Sequence, residues 1–192
     1  MEKALEKMME GNKRFVNGKN NPKNFDEQRK TVLNGQKPFV TILSCSDSRV
    51  VPEFIFDAGI GELFIVRTAG NVCDPVALGS IEYGTEHLHT PLLIVLGHEK
   101  CGAVTATYHG GEAGGNISAI ITKIQPSIHT HKEGEGKEQH EEIEECIECN
   151  VRKSIENMRH CSTIIQHLEK EGKLKIVGMK YSLATGKVHI LE

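Results

Sequence analysis

The chain has 192 residues, 38% of them hydrophobic, and a formal net charge of −3 at pH 7, which suits one compact domain over 1–192 and leaves little for a second. A slightly acidic balance without a long basic run argues against nucleic acid or an anionic membrane surface as the main partner. The longest strongly apolar stretch, PLLIVLG at 91–97, falls far below the ~20 residues of a membrane span, and the N-terminus lacks a continuous apolar signal region, so a cytoplasmic protein acting on a small molecule is expected.

Residues 2–16 place Ala4, Leu5, Met8, Phe15 and Val16 near one side of a helix, and Gly18, Asn20, Asn21 and Pro22 stop it. This predicts an amphipathic N-terminal arm over 1–35, ahead of a core over 36–192. Three short runs rich in Val and Ile follow, FVTILS (39–44), ELFIVR (62–67) and LLIVLG (92–97), each too short for an ordinary helix. Between the second and third, Asp74 as N-cap and Pro75 at the first helical position open a crossover helix. Near-continuous hydrophobicity and helical connections predict an α/β fold, a mostly parallel sheet flanked by helices. Further on, HTHKEGEGKEQHEEIEE (129–145) reads as an exposed acidic loop running into one long helix that carries Ile143, Ile147, Val151, Ile155, Met158 and Ile165 and stops at Gly172. LKIVGMKYSLATGKVHIL then predicts two strands around a turn at 184–186.

Ligands of an open parallel sheet bind beyond the carboxyl ends of its strands. Cys45, Asp47 and Arg49 follow the first strand, Arg67 and TAGN the second, and GHEKCGA (97–103) the third. His98 and Cys101 form an H-x-x-C unit that can grip one ion, with Gly97 and Gly102 expected to let the backbone turn around it. Cys45 is the obvious third ligand. Two thiolates and an imidazole favour Zn²⁺, and three protein ligands leave the fourth position for chemistry. A lone buried cysteine is more often a small core residue, but two such units, each just after an apolar strand, converge on a metal site. Asp47 could ligate the ion or accept a hydrogen bond from solvent on it, and a charge-assisted pair with Arg49 would hold it in the second role. Two thiolates cancel the ion's charge, so its water should be less acidified than in a site of three neutral imidazoles.

CSDSR (45–49) and GHEKCGA (97–103), with GELFIVRTAGN and GSIEY between them, closely resemble a β-class carbonic anhydrase, most specifically over 36–103, and VGMKYSLATGKV resembles that family's ending. The resemblance implies reversible hydration of carbon dioxide to bicarbonate and a proton by zinc-bound hydroxide. It implies one zinc per subunit on Cys45, His98 and Cys101, and a catalytic pair, Asp47 and Arg49. Gln36, Phe64 and Tyr83 match substrate-side residues of the plant-type variant. Ile42 stands where the allosterically inhibited variant carries a tryptophan, and the chain contains no Trp, so an accessible zinc is expected. Val50, Phe64 and Tyr83 are candidates for an apolar pocket suited to CO2.

The family is at least dimeric, with the N-terminal helix embracing a partner and the cleft formed where two subunits meet, so a homodimer or dimer-based oligomer is expected. A helix docked within its own chain would show the same pattern as such an arm. A hydrolase of carbon disulfide or carbonyl sulfide on the same scaffold, or a non-catalytic zinc protein, are the alternatives. Cys146 and Cys149, with Cys161 beyond them, read as incidental on a helix, and His129, His131 and His140 as a solvated group.

Overall fold

The computed structural model describes residues 1–110, 113–129 and 138–191. In chain order the elements are α1 (Glu2–Val16), α2 (Phe25–Thr31), β1 (Val40–Cys45), α3 (Pro52–Ile55), β2 (Leu63–Thr68), α4 (Pro75–Glu82), β3 (Leu92–His98), α5 (Gly102–Tyr108), α6 (Ile117–Ile124), α7 (Gln139–Cys161), α8 (Thr163–Lys170), β4 (Lys175–Tyr181) and β5 (Val188–Leu191).

The strands form one sheet in the order β2-β1-β3-β4-β5. The first four run parallel and β5 returns antiparallel to β4 across the turn expected near 184–186. Strands β1 and β3 are buried along their whole length. Their side chains alternate between two cores: Ile42, Ile94 and Leu96 join Met8, Ile55 and Phe56 on one face, while Leu43, Leu93 and Val95 meet Ile81, Val151, Met158 and Ile165 on the other. From β1 the chain passes to β2 on one side, then crosses back to β3 on the other. The carboxyl ends of β1 and β3 thus flank the point where strand order reverses, where an open α/β sheet leaves a crevice.

Strand β2 departs from the expectation of burial on both faces: it is the sheet's edge, and Leu63, Phe64, Ile65 and Val66 are only half-buried. The expected long helix is two. Ser162 takes an extended conformation (φ −114°, ψ 111°), ends α7, and caps α8 by accepting a hydrogen bond from the Ile165 N–H. A serine side chain competes with the helical backbone for such bonds, which periodicity alone does not register. The acidic loop is also shorter than expected, because α7 begins at Gln139; 130–137 lie outside the described residues. The crossover helix is capped as predicted, the Asp74 carboxylate accepting from the Ala77 N–H with Pro75 behind it, but beyond Glu82 it widens into a π-helical turn at Tyr83–His87.

The arm packs on its own chain. Met8 is buried. Asn12 donates to the Ile55 and Gly186 carbonyls and accepts from the Val188 N–H. The wholly buried Asp57 carboxylate pairs with Arg14 and Lys23 and accepts from the Asn21 N–H.

Candidate metal centre

Cys45, the last residue of β1, lies almost fully buried with its sulfur facing two backbone donors, the N–H groups of Asp47 (3.4 Å) and Gly70 (3.3 Å). Gly70 is required for the second. Its φ of 66° is left-handed, and a Cβ there would fall 2.7 Å from Ile124 Cδ1. His98, the last residue of β3, is wholly buried, and its Nδ1 lies 2.8 Å from the Glu99 carbonyl oxygen. A carbonyl only accepts, so Nδ1 carries the proton and Nε2 keeps its lone pair. That Nε2 is buried and has no hydrogen-bond partner. Cys101 follows a two-residue turn, Glu99 and Lys100, and precedes α5. The two sulfurs and one ring nitrogen all lie within 4.8 Å of one another.

A buried imidazole nitrogen left unpaired beside two thiols is costly unless something occupies the space between them. Soft sulfur with imidazole fits Zn²⁺, and the Nδ1 contact fixes the ring as a ligating histidine requires. The two thiols behave as a pair. Cys45 is held below its ordinary value, first by a hydrogen bond from Cys101 and then, against burial, by the Asp47 and Gly70 N–H groups. Cys101 is raised by the same bond and by burial.

The turn is not made by the flanking glycines. Gly97 lies within β3, where its missing side chain lets α7 approach: a Cβ would meet Val151 Cγ2 at 2.6 Å. Gly102 has open space and no left-handed φ. The left-handed residue is Lys100, at φ 53°.

Asp47 stands beside the cluster, Oδ2 lying 4.0 Å from His98 Nε2. Arg49 holds it three ways: its backbone N–H and Nε both donate to Oδ1 at 2.9 Å, and Nη2 donates to Oδ2 at 2.7 Å. These bonds, led by the guanidinium, keep the carboxyl well below the usual carboxylate range despite its partial burial. Arg67 braces the same loop, donating to the Cys45 carbonyl (3.1 Å) and the Asp47 carbonyl (2.8 Å). Sequence reasoning placed Arg67 on this rim without a role; strand pairing supplies one, since β1–β2 register sets it opposite Ser44.

A carbonic anhydrase family profile matches residues 40–188. Carbonic anhydrase 2 of Mycobacterium tuberculosis is 38% identical over 190 residues, covering 96% of this chain and 89% of the relative. The carbonic anhydrase of Mycolicibacterium smegmatis is 37% identical over 193 residues, covering 97% and 91%. The β-carbonic anhydrase of Coccomyxa, solved in complex with acetazolamide, superposes with a TM-score of 0.74 at 28% identity, covering 84% of this chain and 75% of that one. The chain belongs to the β-carbonic anhydrase family. One of two tetrameric β-carbonic anhydrases from Sordaria macrospora shares the fold, with a TM-score of 0.78 at 22% identity over 86% of each chain.

Of the residues matched to the substrate side of a β-carbonic anhydrase, Phe64 and Tyr83 lie together, away from the metal centre of their own chain, and Gln36 lies apart from both. Phe64 pairs with Thr41, four residues before Cys45, roughly 13 Å along the strand at ~3.3 Å per residue. Tyr83 stacks on Phe64 with ring centroids 6.0 Å apart, and is 46% exposed. Gln36, exposed, precedes β1 altogether and lines a shallow cleft with Val32, Ile60 and Glu62. Ile42 and Val50 are core residues. Among the described residues no second set of three potential metal ligands converges; Cys146 lies near His129 (Sγ to carbonyl 3.4 Å), His140 beside Glu138, and His131 falls outside the described residues.

Proposed function

We propose that this chain catalyses the reversible hydration of carbon dioxide to bicarbonate and a proton, with one zinc ion per subunit held by Cys45, His98 and Cys101. The observation that carries the reading is the unpartnered, buried His98 Nε2 within reach of both thiols, with the Arg49-clamped Asp47 carboxylate 4.0 Å away. When bound, zinc supplies a Lewis acid that makes water nucleophilic near neutral pH, an effect for which carbonic anhydrases are the standing example.

The protein's part is orientation. Asp47 stays ionised through the working range, so its Oδ2 accepts a hydrogen bond and aims the attacking oxygen without taking up the proton. Arg49 occupies both carboxylate oxygens and thereby keeps Asp47 from ligating the ion, which supports an accessible centre. Gln36, Phe64 and Tyr83 act from a second copy of the chain. The support is their separation from the metal centre of their own chain, the exposure of Gln36 and Tyr83, the open β2 edge, and Ile60 beside Gln36, an apolar side chain left 42% exposed. A homodimer or a dimer-based oligomer then completes each pocket, with an apolar wall for CO2 and a glutamine amide for bicarbonate. Arm and core over 1–192 act as one domain.

No helix among the described residues is long and apolar enough to cross a membrane, and all six cysteines are free, which supports a reducing cytoplasm. Stopped-flow CO2 hydration, with metal analysis of the same sample and a parallel carbon disulfide assay, tests the reading. Zinc-loaded protein should hydrate CO2 far faster than buffer, and Cys45→Ala should lose zinc. Full zinc occupancy in Cys45→Ala, or no acceleration from neutral to mildly alkaline pH, would refute it.

A further inference from the structure

The turn that carries His98 and Cys101 to one place is tied down by a residue 44 positions away. Lys100, between the two, sits at φ 53°, a left-handed conformation that side chains other than glycine adopt reluctantly and keep only when the surroundings impose it. Its N–H donates to Glu144 Oε1 of α7 at 2.9 Å. Its carbonyl faces Arg49 Nη2 at 3.5 Å. One peptide segment is therefore held from α7 on one side and from the Asp47 partner on the other.

Glu144 is itself anchored. Its Oε2 is shielded from solvent without a hydrogen bond and lies 3.6 Å from Lys180 Nζ, which also binds Glu148 Oε1 at 2.6 Å. Lys180 belongs to β4 and pairs in register with Gly97, next to His98. The absence of a side chain at Gly97 lets α7 lie against β3, so Glu144 is presented from a rigid element rather than a loop.

We propose that Glu144 is a positioning residue: by clamping the Lys100 N–H it fixes the turn between the ligands and, through the Lys100 carbonyl, the Arg49 side chain. The inference rests on reading Cys45, His98 and Cys101 as the zinc site. Second-sphere partners of metal ligands set affinity and activity by roughly 10- to 100-fold, and a clamp on a strained turn acts through the same geometry. An ordinary surface ion pair of α7 would leave the metal centre unaffected.

The test compares Glu144→Ala, Glu144→Gln and Glu148→Ala in the zinc-loaded protein, the last removing Lys180's other acidic partner without touching Lys100. In Glu144→Ala the Lys100 amide should exchange faster, zinc should pass to a chelator about tenfold faster, the cobalt-substituted absorption spectrum should shift, and kcat should fall while KM holds. Glu144→Gln keeps an acceptor for the Lys100 N–H and should stay close to wild type in all four, as should Glu148→Ala. Wild-type Lys100 exchange, zinc release and cobalt spectrum in Glu144→Ala would overturn the proposal, as would Glu144→Gln failing as badly as alanine. Amide exchange is read without metal as well, so a wild type that binds no zinc sinks the zinc reading while the clamp is still judged.

Discussion

Arg49 and Asp47 are joined by three hydrogen bonds that engage both carboxylate oxygens, yet leave Oδ2 with acceptor capacity and facing His98 Nε2 at 4.0 Å. The carboxylate can therefore orient what lies between the ligands without becoming one. Arg49→Ala removes two of the three bonds and keeps only the backbone N–H. We expect this variant to retain zinc and lose CO2 hydration by about 100-fold, because the freed carboxylate can swing onto the metal. Arg49→Lys should not restore activity, since an ammonium cannot make the two-pronged contact. Metal analysis beside stopped-flow rates checks both, and full activity in either variant would remove the guanidinium from the mechanism.

Two glycines should respond to alanine in opposite directions. Gly70 has a left-handed φ, no room for a Cβ, and an N–H aimed at Cys45. Gly70→Ala should cost about 1–3 kcal/mol and speed zinc release, because moving that N–H withdraws a donor from the thiolate. Gly79 lies exposed within α4, with helical φ and open space around it. Gly79→Ala should stabilise the fold by about 0.5–1 kcal/mol through helix propensity. Urea denaturation of both, with chelator competition on the first, decides.

Much of this centre is legible in the sequence. Apolar runs rich in Val and Ile that stop at Cys45 and His98 mark the carboxyl ends of neighbouring buried strands, and H-x-x-C spacing does the rest. What stayed hidden depends on distance in sequence. The tie from Glu144 to Lys100 spans 44 residues, and Arg67 acquires its role only from strand register. Local spacing suggests a turn at Gly97 and cannot reveal that α7 packs on it. Ser162 breaks a helix whose apolar periodicity runs straight past it. The Phe64 and Tyr83 pair was recognisable, but one chain does not bring it to the metal.

The docked arm should make stability depend on acid. Burial alone would raise the Asp57 pKa, but Arg14, Lys23 and the Asn21 N–H outweigh it and lower the group from 3.8 to about 2. A depressed carboxylate stabilises the fold above its unfolded pKa, and that contribution is lost as pH falls from about 4 towards 2. Asp57→Asn should therefore destabilise the protein near neutrality by about 2 kcal/mol, less than a fully buried pair because Arg14 reaches solvent. The gap between wild type and variant should close in acid. Thermal melts of both at matched metal occupancy test this, and a gap independent of pH would show that the Asp57 charge does not hold the arm.

If the pocket is completed across a dimer, activity should complement between two defective chains. Arg49→Ala disables the metal side of its own subunit, whereas Gln36→Ala disables the substrate side of its partner's site. In a heterodimer of the two, one pocket combines both defects and the other receives an intact Arg49 from one chain and an intact Gln36 from the other. Differently tagged variants, co-expressed and purified as the mixed species, should recover about half the wild-type rate per dimer, while each variant alone stays impaired. Were Gln36 to act within its own chain, every pocket of the mixed species would carry one defect and no recovery would occur. The separation of Phe64 from Cys45 along the strands, with Gln36 lying before β1, favours the first outcome, because no rotamer of a glutamine spans the length of β1.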